Sequence, residues 1–323
     1  MRCMRHGGFT HGAELFDHRR FSISKTEAIA MDPQQRVLLE RGYGALQQGG
    51  ILSSSGSCSC VGVAIGITQT EYSRILESSP SAYTVPATTG ATLSIASGRL
   101  SFVLGLQGPC AAFETACSSA LMACHAAARA LQYGECDAHL IAGVNLMLHP
   151  STSAGLAIAG MTSPTGRSHT FDARADGFAR GEGCIGISVQ SATDALSHLL
   201  LSGSAARQDG RSASLTAPNG QAQQALLRAA HVDACLAPSE LICAEAHGTG
   251  TALGDPIETS SMQAAVLAMR PYSAGALALA SVKGNIGHTE PSAGLAGLVC
   301  LVHGLGRGQS SPNAQLRVLN PRV

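Results

Sequence analysis

The chain has 323 residues and carries 21 basic and 21 acidic side chains, so its formal net charge is zero. This balance, with no basic run, excludes a protein that binds nucleic acid through the phosphate backbone, because that interaction needs a positively charged face. The 45% apolar content and 37 glycines are typical of a compact α/β protein and not of a disordered one.

Targeting signals and paired cysteines are not evident in the sequence. No apolar stretch reaches the roughly 18 residues of a membrane span, and residues 1–8 lack the apolar middle of a secretory signal. We therefore expect an intracellular, cytoplasmic protein with no membrane span. Eleven cysteines without zinc-type spacing predict reduced thiols and no metal site.

Apolar runs and helix caps predict the elements of the first part of the chain. Helices are expected over residues 33–48, 91–99 and 117–133, and strands over 61–66, 110–114, 139–144 and 184–190. Residues before Pro33 are expected to form a loop, and Gly49 ends the first helix. Residues 150–183 are expected to form a long loop. Because structureless connections above about 12–15 residues are uncommon, a loop of this length predicts a functional segment or a cover over a site.

The second part of the chain twice repeats a strand, a glycine-rich loop and a helix. Strands are expected over residues 241–245 and 277–282, and the loops after them contain His247 and His288. Asp255 is the predicted N-cap of the first helix, which would begin at Pro256. Residues 283–288 are expected to form a loop, followed by an apolar helix over 289–301.

Cys117 is the candidate nucleophile. It follows a predicted strand and begins an alanine-rich, buried helix. Unpaired N–H groups and the helix dipole at that end favour a thiolate over a thiol. The sequence therefore predicts covalent catalysis by this sulfur.

His247 and His288 are the candidate electrostatic partners of Cys117. Both come after predicted strands, at the edge where open α/β sheets collect ligand-binding groups. As neutral imidazoles, they can donate N–H bonds to a carbonyl oxygen that becomes an enolate. We expect both rings to meet Cys117 in one dry cavity.

Three further residues in the histidine loops are site candidates. Lys283 is one of two lysines, the other being Lys25, in a chain that otherwise uses arginine; this retention predicts a need for a compact ammonium donor. Thr249 and Thr251 line a channel for an amide-bearing arm, or they only shape the turn.

These motifs together resemble the ketosynthase domain of modular type I polyketide synthases, a branch of the thiolase-fold β-ketoacyl synthases. The resemblance extends from about Gly7 to Pro321. The matching blocks are residues 31–36, 114–120, 142–145, 161–167, 171–177, 180–183, 215–220, 245–251 and 281–290.

The resemblance implies an α/β, thiolase-like αβαβα layered fold with two pseudo-duplicated halves. Residues 1–190 would form the half that carries Cys117, and residues 191–323 the half that carries His247 and His288. The family's first apolar strand and its final glycine-rich segment have no match in this sequence. We therefore expect a fold that is incomplete at both termini.

The resemblance also implies a reaction. Cys117 would accept an acyl chain from a carrier-protein thioester, and His247 and His288 would assist decarboxylation of a malonyl-type extender. Lys283 would support the electrostatics of the site, and Thr249 and Thr251 would contact the pantetheine arm. The implied partner is an acyl carrier protein that delivers its phosphopantetheine arm, with no metal or dissociable cofactor. The protein would be a homodimer in polyketide or fatty-acid synthesis.

Two other interpretations remain open at this point. One is a catalytically impaired homologue or fragment that serves as a structural or dimerisation partner, suggested by the missing ends. The other is a cysteine hydrolase that uses Cys117 with His247 and Asp255. The hydrolase leaves His288 and Lys283 without a role.

Overall fold

The structure, a computed structural model, contains both helices and strands and describes residues 5–52, 60–68, 71–77, 83–191 and 199–323. The helices are α1 (Lys25–Ala30), α2 (Pro33–Gln48), α3 (Tyr72–Leu76), α4 (Val85–Gly90), α5 (Leu93–Leu104), α6 (Ser119–Gln132), α7 (Pro150–Ile158), α8 (Gly220–Ala234), α9 (Gly254–Ala265), α10 (Lys283–Ile286) and α11 (Ala293–Arg307). The strands are β1 (Val61–Gly66), β2 (Cys110–Phe113), β3 (Ala138–Asn145), β4 (Gly183–Gln190), β5 (Cys243–Glu245) and β6 (Ala278–Ala280). Within these ranges no helix is both long and apolar enough to cross a lipid bilayer.

The first four strands form one mostly parallel sheet in the order β2-β1-β3-β4. β1 pairs in parallel with β2 and β3, and β4 joins β3 in antiparallel. Every residue of β1 and β3 is buried. Their continuous apolar sequences follow from this position, because central parallel strands are covered on both faces.

Helices cover both faces of this sheet. Val61 and Val63 of β1 pack into a cluster with side chains of α2 and α5. Ala64 points to the opposite face, where it packs with small side chains of α6 and with Leu295 of α11. The alternation of side chains along a strand lets one short apolar run serve both contacts.

Gly66, at the end of β1, and Gly143, near the end of β3, allow neighbouring turns to lie directly on the sheet. A Cβ at Gly66 would lie 2.4 Å from the backbone N of Ala120, and a Cβ at Gly143 would lie 2.9 Å from Cα of Ser292. Neither position has room for a side chain. The start of α6 and the 290–292 turn therefore meet at the carboxyl end of the sheet.

The second sheet consists of β5 and β6, paired in parallel. α11 lies between the two sheets, because it contacts α6 and β3 on one side and β5 on the other. α8 and α9 pack against each other. The order of layers follows the arrangement that the resemblance implies. The layers are the α2 and α5 helices, the first sheet, the α6 and α11 helices, and the second sheet. The domain division at residue 190 stays a prediction.

Most predicted elements are present, with changes at their ends. The strand at 61–66 and the helix at 33–48 have the predicted bounds, with Asp32 as the N-cap of the helix. The helix predicted over 91–99 covers residues 93–104. The predicted strands at 241–245 and 277–282 are shorter, with three residues each.

Three segments predicted as loops are helical, which corrects the sequence analysis. α1 lies in the residues before Pro33, and α10 covers the start of the predicted 283–288 loop. α7 occupies part of the predicted 150–183 loop. Its serine, threonine and glycine residues favour loops, but Pro150 starts the helix, and Nδ1 of His149 accepts the Ser151 N–H at 3.2 Å.

Asp172 anchors the C-terminal part of the chain. Its Oδ2 accepts the backbone N–H groups of Arg317 and Val318 at 2.6 and 3.0 Å. The guanidinium of Arg174 donates to both carboxylate oxygens. These donors, with Arg174 as the largest cause, hold the pKa of Asp172 well below its usual range. The carboxylate is therefore charged and holds residues 317–318 against residues 171–173.

We expect Asp172→Asn to lower the free energy of unfolding by about 1–3 kcal/mol, because the N–H groups of Arg317 and Val318 and the guanidinium of Arg174 lose a charged acceptor. A depressed pKa stabilises the folded protein fully above the unfolded value, about 3.9, and this contribution shrinks as the pH falls from that value towards the lower pKa of the folded state. Urea unfolding at pH 7 and near pH 3 measures the difference between wild type and variant. A difference that does not shrink in acid would contradict the assignment.

Candidate active site

Cys117 lies in a 3-10 turn, Ala116–Ser118, between β2 and α6. It precedes α6, whereas the sequence predicted that it would lie in the first turn of that helix. Ala116 has a φ of 53°, a left-handed conformation that is uncommon for a residue with a side chain. The hydroxyl of Ser119 donates to the Ala116 carbonyl at 2.6 Å and accepts the Thr115 N–H at 2.9 Å. A strained and internally bonded turn therefore presents the thiol.

His247 follows β5, and a carboxylate holds its loop in place. The backbone N–H groups of His247 and Gly248 donate to the two oxygens of Glu258 at 2.6 and 2.7 Å. Glu258 belongs to α9, so the helix fixes the loop that carries the imidazole. Nε2 of His247 lies 3.7 Å from Sγ of Cys117, within the range of a sulfur hydrogen bond.

His288 follows α10 and is buried. Its Nδ1 accepts the backbone N–H of Glu290 at 3.0 Å. A neutral imidazole carries one proton, so this hydrogen bond leaves the proton on Nε2. The ring centroids of Phe178 and His247 lie 4.9 and 5.5 Å from that of His288, both in edge-to-face contact. These contacts restrict the ring and make its Nε2–H a defined donor.

The structure brings the predicted nucleophile and both predicted histidines together. Sγ of Cys117 and one nitrogen of each ring all lie within 4.8 Å of one another. The predicted dry cavity is wrong, however, because His247 and residues 114–116 are exposed. The convergence holds across 130 residues of sequence between Cys117 and His247.

The same three atoms lie close enough together to hold a metal ion. A histidine that ligates a metal through one nitrogen usually donates its other ring N–H to an acceptor. At His288 the group beside Nδ1 is the Glu290 N–H, which is itself a donor. The ring is therefore arranged to donate from Nε2 and not to ligate. The expectation of no metal stays a prediction.

Lys283 is buried next to the site among carboxylates. Burial lowers the pKa of its ammonium, and the nearby charges of Glu258 and Glu245 oppose that change. Oε1 of Glu245 also accepts the Val282 N–H at 2.6 Å. Neither Glu245 nor Glu258 was among the residues predicted for the site. Glu245 opens the His247 motif, which was the available signal for it, whereas Glu258 lies beyond that motif, in α9.

Burial and charge set the protonation of the three central groups. Loss of hydration, followed by the Lys283 charge, lowers the pKa of both His247 and His288. Because His247 meets solvent, we expect the stronger effect at the buried His288. Burial raises the pKa of the Cys117 thiol, and Lys283 only partly opposes this. The prediction of neutral imidazoles agrees with the structure, whereas the predicted preference for a thiolate is wrong.

Thr249 and Thr251 bond to each other within their loop. Their hydroxyl oxygens are 3.1 Å apart, and Oγ1 of Thr251 accepts the Gly254 N–H at 3.1 Å. The second bond satisfies a donor at the start of α9. Both residues therefore shape the turn, and their contact with a pantetheine arm stays a prediction.

Asp255 is not the N-cap of the helix that follows, because α9 begins one residue earlier, at Gly254. The side chain is buried, and its Oδ1 accepts the N–H groups of Gly250 and Thr251 at 3.0 and 3.3 Å. The local Asp-Pro signal was correct about a helix start but wrong about the cap. The carboxylate instead accepts hydrogen bonds from backbone N–H groups of the preceding loop.

The position of Asp255 argues against a cysteine hydrolase built from Cys117, His247 and Asp255. Its second oxygen accepts the Phe171 N–H at 2.8 Å, so both oxygens serve backbone donors. A carboxylate that orients a catalytic imidazole must accept a hydrogen bond from that ring. Asp255 instead positions the loop that follows His247.

We expect Lys283→Met to raise the pKa of His247 and His288, because its ammonium disfavours a second positive charge nearby. As the pH falls, the variant should therefore protonate both rings at a higher pH than the wild type. Proton NMR titration of the ring signals, assigned with His247→Ala and His288→Ala, measures the change. Lys25→Met, at the exposed second lysine, is the control and should leave the curves unchanged. Identical curves for Lys283→Met and wild type would contradict this electrostatic role.

Comparison with known families gives two adjoining matches. The family model described as "Beta-ketoacyl synthase, N-terminal domain" matches residues 2–195, and that described as "Beta-ketoacyl synthase, C-terminal domain" matches residues 198–317. Together the two models cover almost the whole chain.

Similar proteins include long polyketide synthases. The chain is 42% identical over 327 aligned positions to a phenolphthiocerol/phthiocerol polyketide synthase of Mycobacterium tuberculosis, a match that covers 100% of the chain and 17% of that protein. It is 40% identical to the spectinabilin polyketide synthase system protein NorC of Streptomyces orinoci, covering 99% of the chain and 14% of that protein. The chain thus spans less than a fifth of the length of these relatives.

Solved ketosynthases have the same fold. The ketosynthase from module 6 of the bacillaene synthase of Bacillus subtilis 168 superposes with a TM-score of 0.89 at 33% identity, over 97% of the chain and 55% of that structure. An oxazolomycin ketosynthase domain of Streptomyces albus JA3453 gives 0.88 at 29% identity, over 98% and 56%. The layered fold is therefore thiolase-like, and the chain spans about half the length of these structures.

Proposed function

The chain belongs to the β-ketoacyl synthase family, and from this premise we propose that it catalyses a decarboxylative Claisen condensation between a Cys-bound acyl chain and a malonyl-type extender on a carrier protein. The observation that carries the proposal is the convergence of Cys117, His247 and His288 within 4.8 Å. A sulfur nucleophile beside two neutral N–H donors provides what the two half-reactions need.

The first half-reaction is acyl transfer to Cys117. The sulfur attacks the carbonyl carbon of an acyl thioester, a new carbon–sulfur bond forms, and the pantetheine thiol leaves. The thiol loses its proton in this step, and that proton passes by way of Nε2 of His247, 3.7 Å from Sγ, to the departing pantetheine sulfur. The Lys283 charge favours the developing thiolate. Substrate binding is expected to exclude the water that now reaches His247.

The second half-reaction forms the carbon–carbon bond. The bond between the malonyl carboxylate and the α-carbon breaks, and carbon dioxide leaves. The electron pair of the broken bond stays with the remaining thioester and forms an enolate. N–H groups of His247 and His288 donate to the enolate oxygen while negative charge develops there. The α-carbon then attacks the acyl carbonyl carbon, the bond between that carbon and Sγ of Cys117 breaks, and the released thiolate takes up a proton from solvent. The product is a β-ketoacyl chain on the carrier protein.

The partners follow from this reaction. An acyl carrier protein would present acyl and malonyl groups on its phosphopantetheine arm, and Thr249 and Thr251 would contact the arm's amides. A homodimer is consistent with the position of β2, which has a paired strand on one side only within the described part of the chain. An unpaired strand edge offers N–H and C=O groups to a second copy. Light scattering of the purified chain tests this assembly.

One experiment tests the proposed activity. The purified chain is incubated with an acyl thioester of N-acetylcysteamine, which imitates the end of the arm, and its intact mass is followed. A carboxyl-labelled malonyl thioester is then added, and released carbon dioxide and the β-keto product are measured. Acylation followed by product formation is expected. Release of free acid without decarboxylation would indicate a thioester hydrolase and overturn the proposal.

A non-catalytic partner role is the second candidate. The exposure of His247 and of residues 114–116 favours it, because water weakens electrostatic stabilisation at an open site. This candidate predicts a folded dimer that takes up no acyl group. The mass measurement and light scattering together separate the two candidates.

A further inference from the structure

A buried ion pair lies next to His288. Nε of Arg180 is 2.5 Å from Oε1 of Glu290, and Nη2 is 3.1 Å from Oε2. The side chains of Arg180 and Glu290 are 4% and 13% exposed, and Nη1 of Arg180 also donates to Ser153 at 2.7 Å. A two-point pair of this kind restricts both side chains more than a surface ion pair does.

The backbone of both partners is joined directly to His288. The N–H of His288 donates to the Ala179 carbonyl at 2.7 Å, and the N–H of Gly181 donates to the His288 carbonyl at 2.8 Å. Arg180 and His288 are thus paired in an isolated parallel β-bridge. From the other side, the N–H of Glu290 donates to Nδ1 of His288.

Glu290 has an unfavourable backbone conformation at this position. Its φ is 48°, in the left-handed region that residues other than glycine seldom occupy. Such conformations persist only where surrounding contacts enforce them. The two-point bond from Arg180 to the Glu290 carboxylate is the contact that can do so, because it holds the side chain of the strained residue itself.

We propose that Arg180 and Glu290 are positioning residues: their ion pair holds the turn at Glu290 so that its backbone N–H keeps His288 in the tautomer that carries the proton on Nε2. This inference rests on the proposed function for its catalytic consequence, but not for the tautomer itself. The groups that bear on the charge of His288 are Lys283, His247 and Arg180, together with the Glu290 carboxylate paired to Arg180. The pair thus adds no net charge beside the ring.

The first test observes the tautomer directly. Long-range ¹H–¹⁵N NMR of the protein labelled with ¹⁵N-histidine distinguishes the two neutral tautomers, and His288→Ala assigns the signal. We expect Nε2–H in the wild type and a mixture in Glu290→Ala, which keeps a Cβ but loses the ion pair. Glu290→Gly also loses the pair but adopts positive φ without strain, so it should keep more of the Nε2–H form.

The second test measures the consequence for the reaction. Glu290→Ala should slow malonyl decarboxylation by about tenfold to a hundredfold through misplacement of one donor, with acylation of Cys117 nearly unchanged. Glu290→Gly should recover part of the rate. Glu27→Gln is the matched control, because Glu27 pairs with the buried Arg99 elsewhere in the fold, and it should change neither readout.

The outcomes separate this inference from the proposed function. An Nδ1–H tautomer in the wild type, or an unchanged tautomer in Glu290→Ala, overturns the inference. Equal behaviour of the alanine and glycine variants also overturns it, because backbone strain would then be irrelevant. If Glu290→Ala does not fold, Arg180→Lys gives the same comparison with a single-point pair in place of the two-point pair. The expected tautomers in the wild type and in both Glu290 variants, with no decarboxylation by the wild type, would support the positioning role and contradict the activity.

Discussion

Replacing Cys117 with alanine is expected to abolish acyl capture and to lower condensation by a factor on the order of 10⁴ or more, as when other enzymes lose a covalent nucleophile. The sulfur forms the intermediate, and neither histidine can replace it, because an imidazole nitrogen cannot form a thioester. Alanine should fit the 3-10 turn, because the bonds of that turn come from Ser119 to Thr115 and Ala116. Intact-mass spectrometry after incubation with an acyl thioester measures the loss.

Cys110→Ala is the matched control for this substitution. Cys110 lies on β2, only seven positions earlier in the chain, and its thiol is exposed and free. If acylation reflects the site and not simple access, this variant should capture the acyl group as the wild type does. An adduct that persists in Cys117→Ala, or that disappears in Cys110→Ala, would show that the nucleophile has been misidentified.

His288→Ala is expected to reduce malonyl decarboxylation by about 10²–10³, the usual effect of removing one donor to a developing oxyanion. Acyl capture should change much less, because His247 is the histidine in contact with Sγ of Cys117. The two half-reactions can be followed separately, through labelled carbon dioxide and through the mass of the acylated protein.

The pH dependence adds a second expectation for His288. Its pKa lies well below the usual value of about 6.5. The neutral form therefore predominates at neutral pH and stays predominant as the pH falls past 6.5. Wild-type decarboxylation should therefore show no acid limb from this group in that range. His303→Ala, at an exposed position of α11, is the control and should leave both half-reactions unchanged. An equal loss of both half-reactions in His288→Ala would argue for a general structural role.

The sequence predicted much of the fold because its signals are local. The apolar run of β1 and the Asp32-Pro33 start of α2 specify their elements within a few residues. α7 escaped prediction because its serine and threonine residues favour turns, and its cap, the imidazole of His149, is an unusual one. The Asp255 signal was misread because the carboxylate accepts the N–H groups of Gly250 and Thr251 in the preceding loop and of Phe171, 84 positions away in sequence.

For the site, the sequence by itself determined which residues were candidates. Cys117 was recognisable from its place between a predicted strand and an alanine-rich helix, and His247 and His288 from their glycine-rich loops. Only the tertiary structure decided their chemical state. Solvation and charge depend on neighbours that are distant in sequence. Burial therefore raised the pKa of Cys117 although the residue lies just before a helix, and the exposure of His247 could not be predicted from its motif. The proton position on His288 likewise depends on a turn held by Arg180, 110 residues before Glu290. A motif specifies the reactive groups, whereas packing specifies where their protons lie and how much water reaches them.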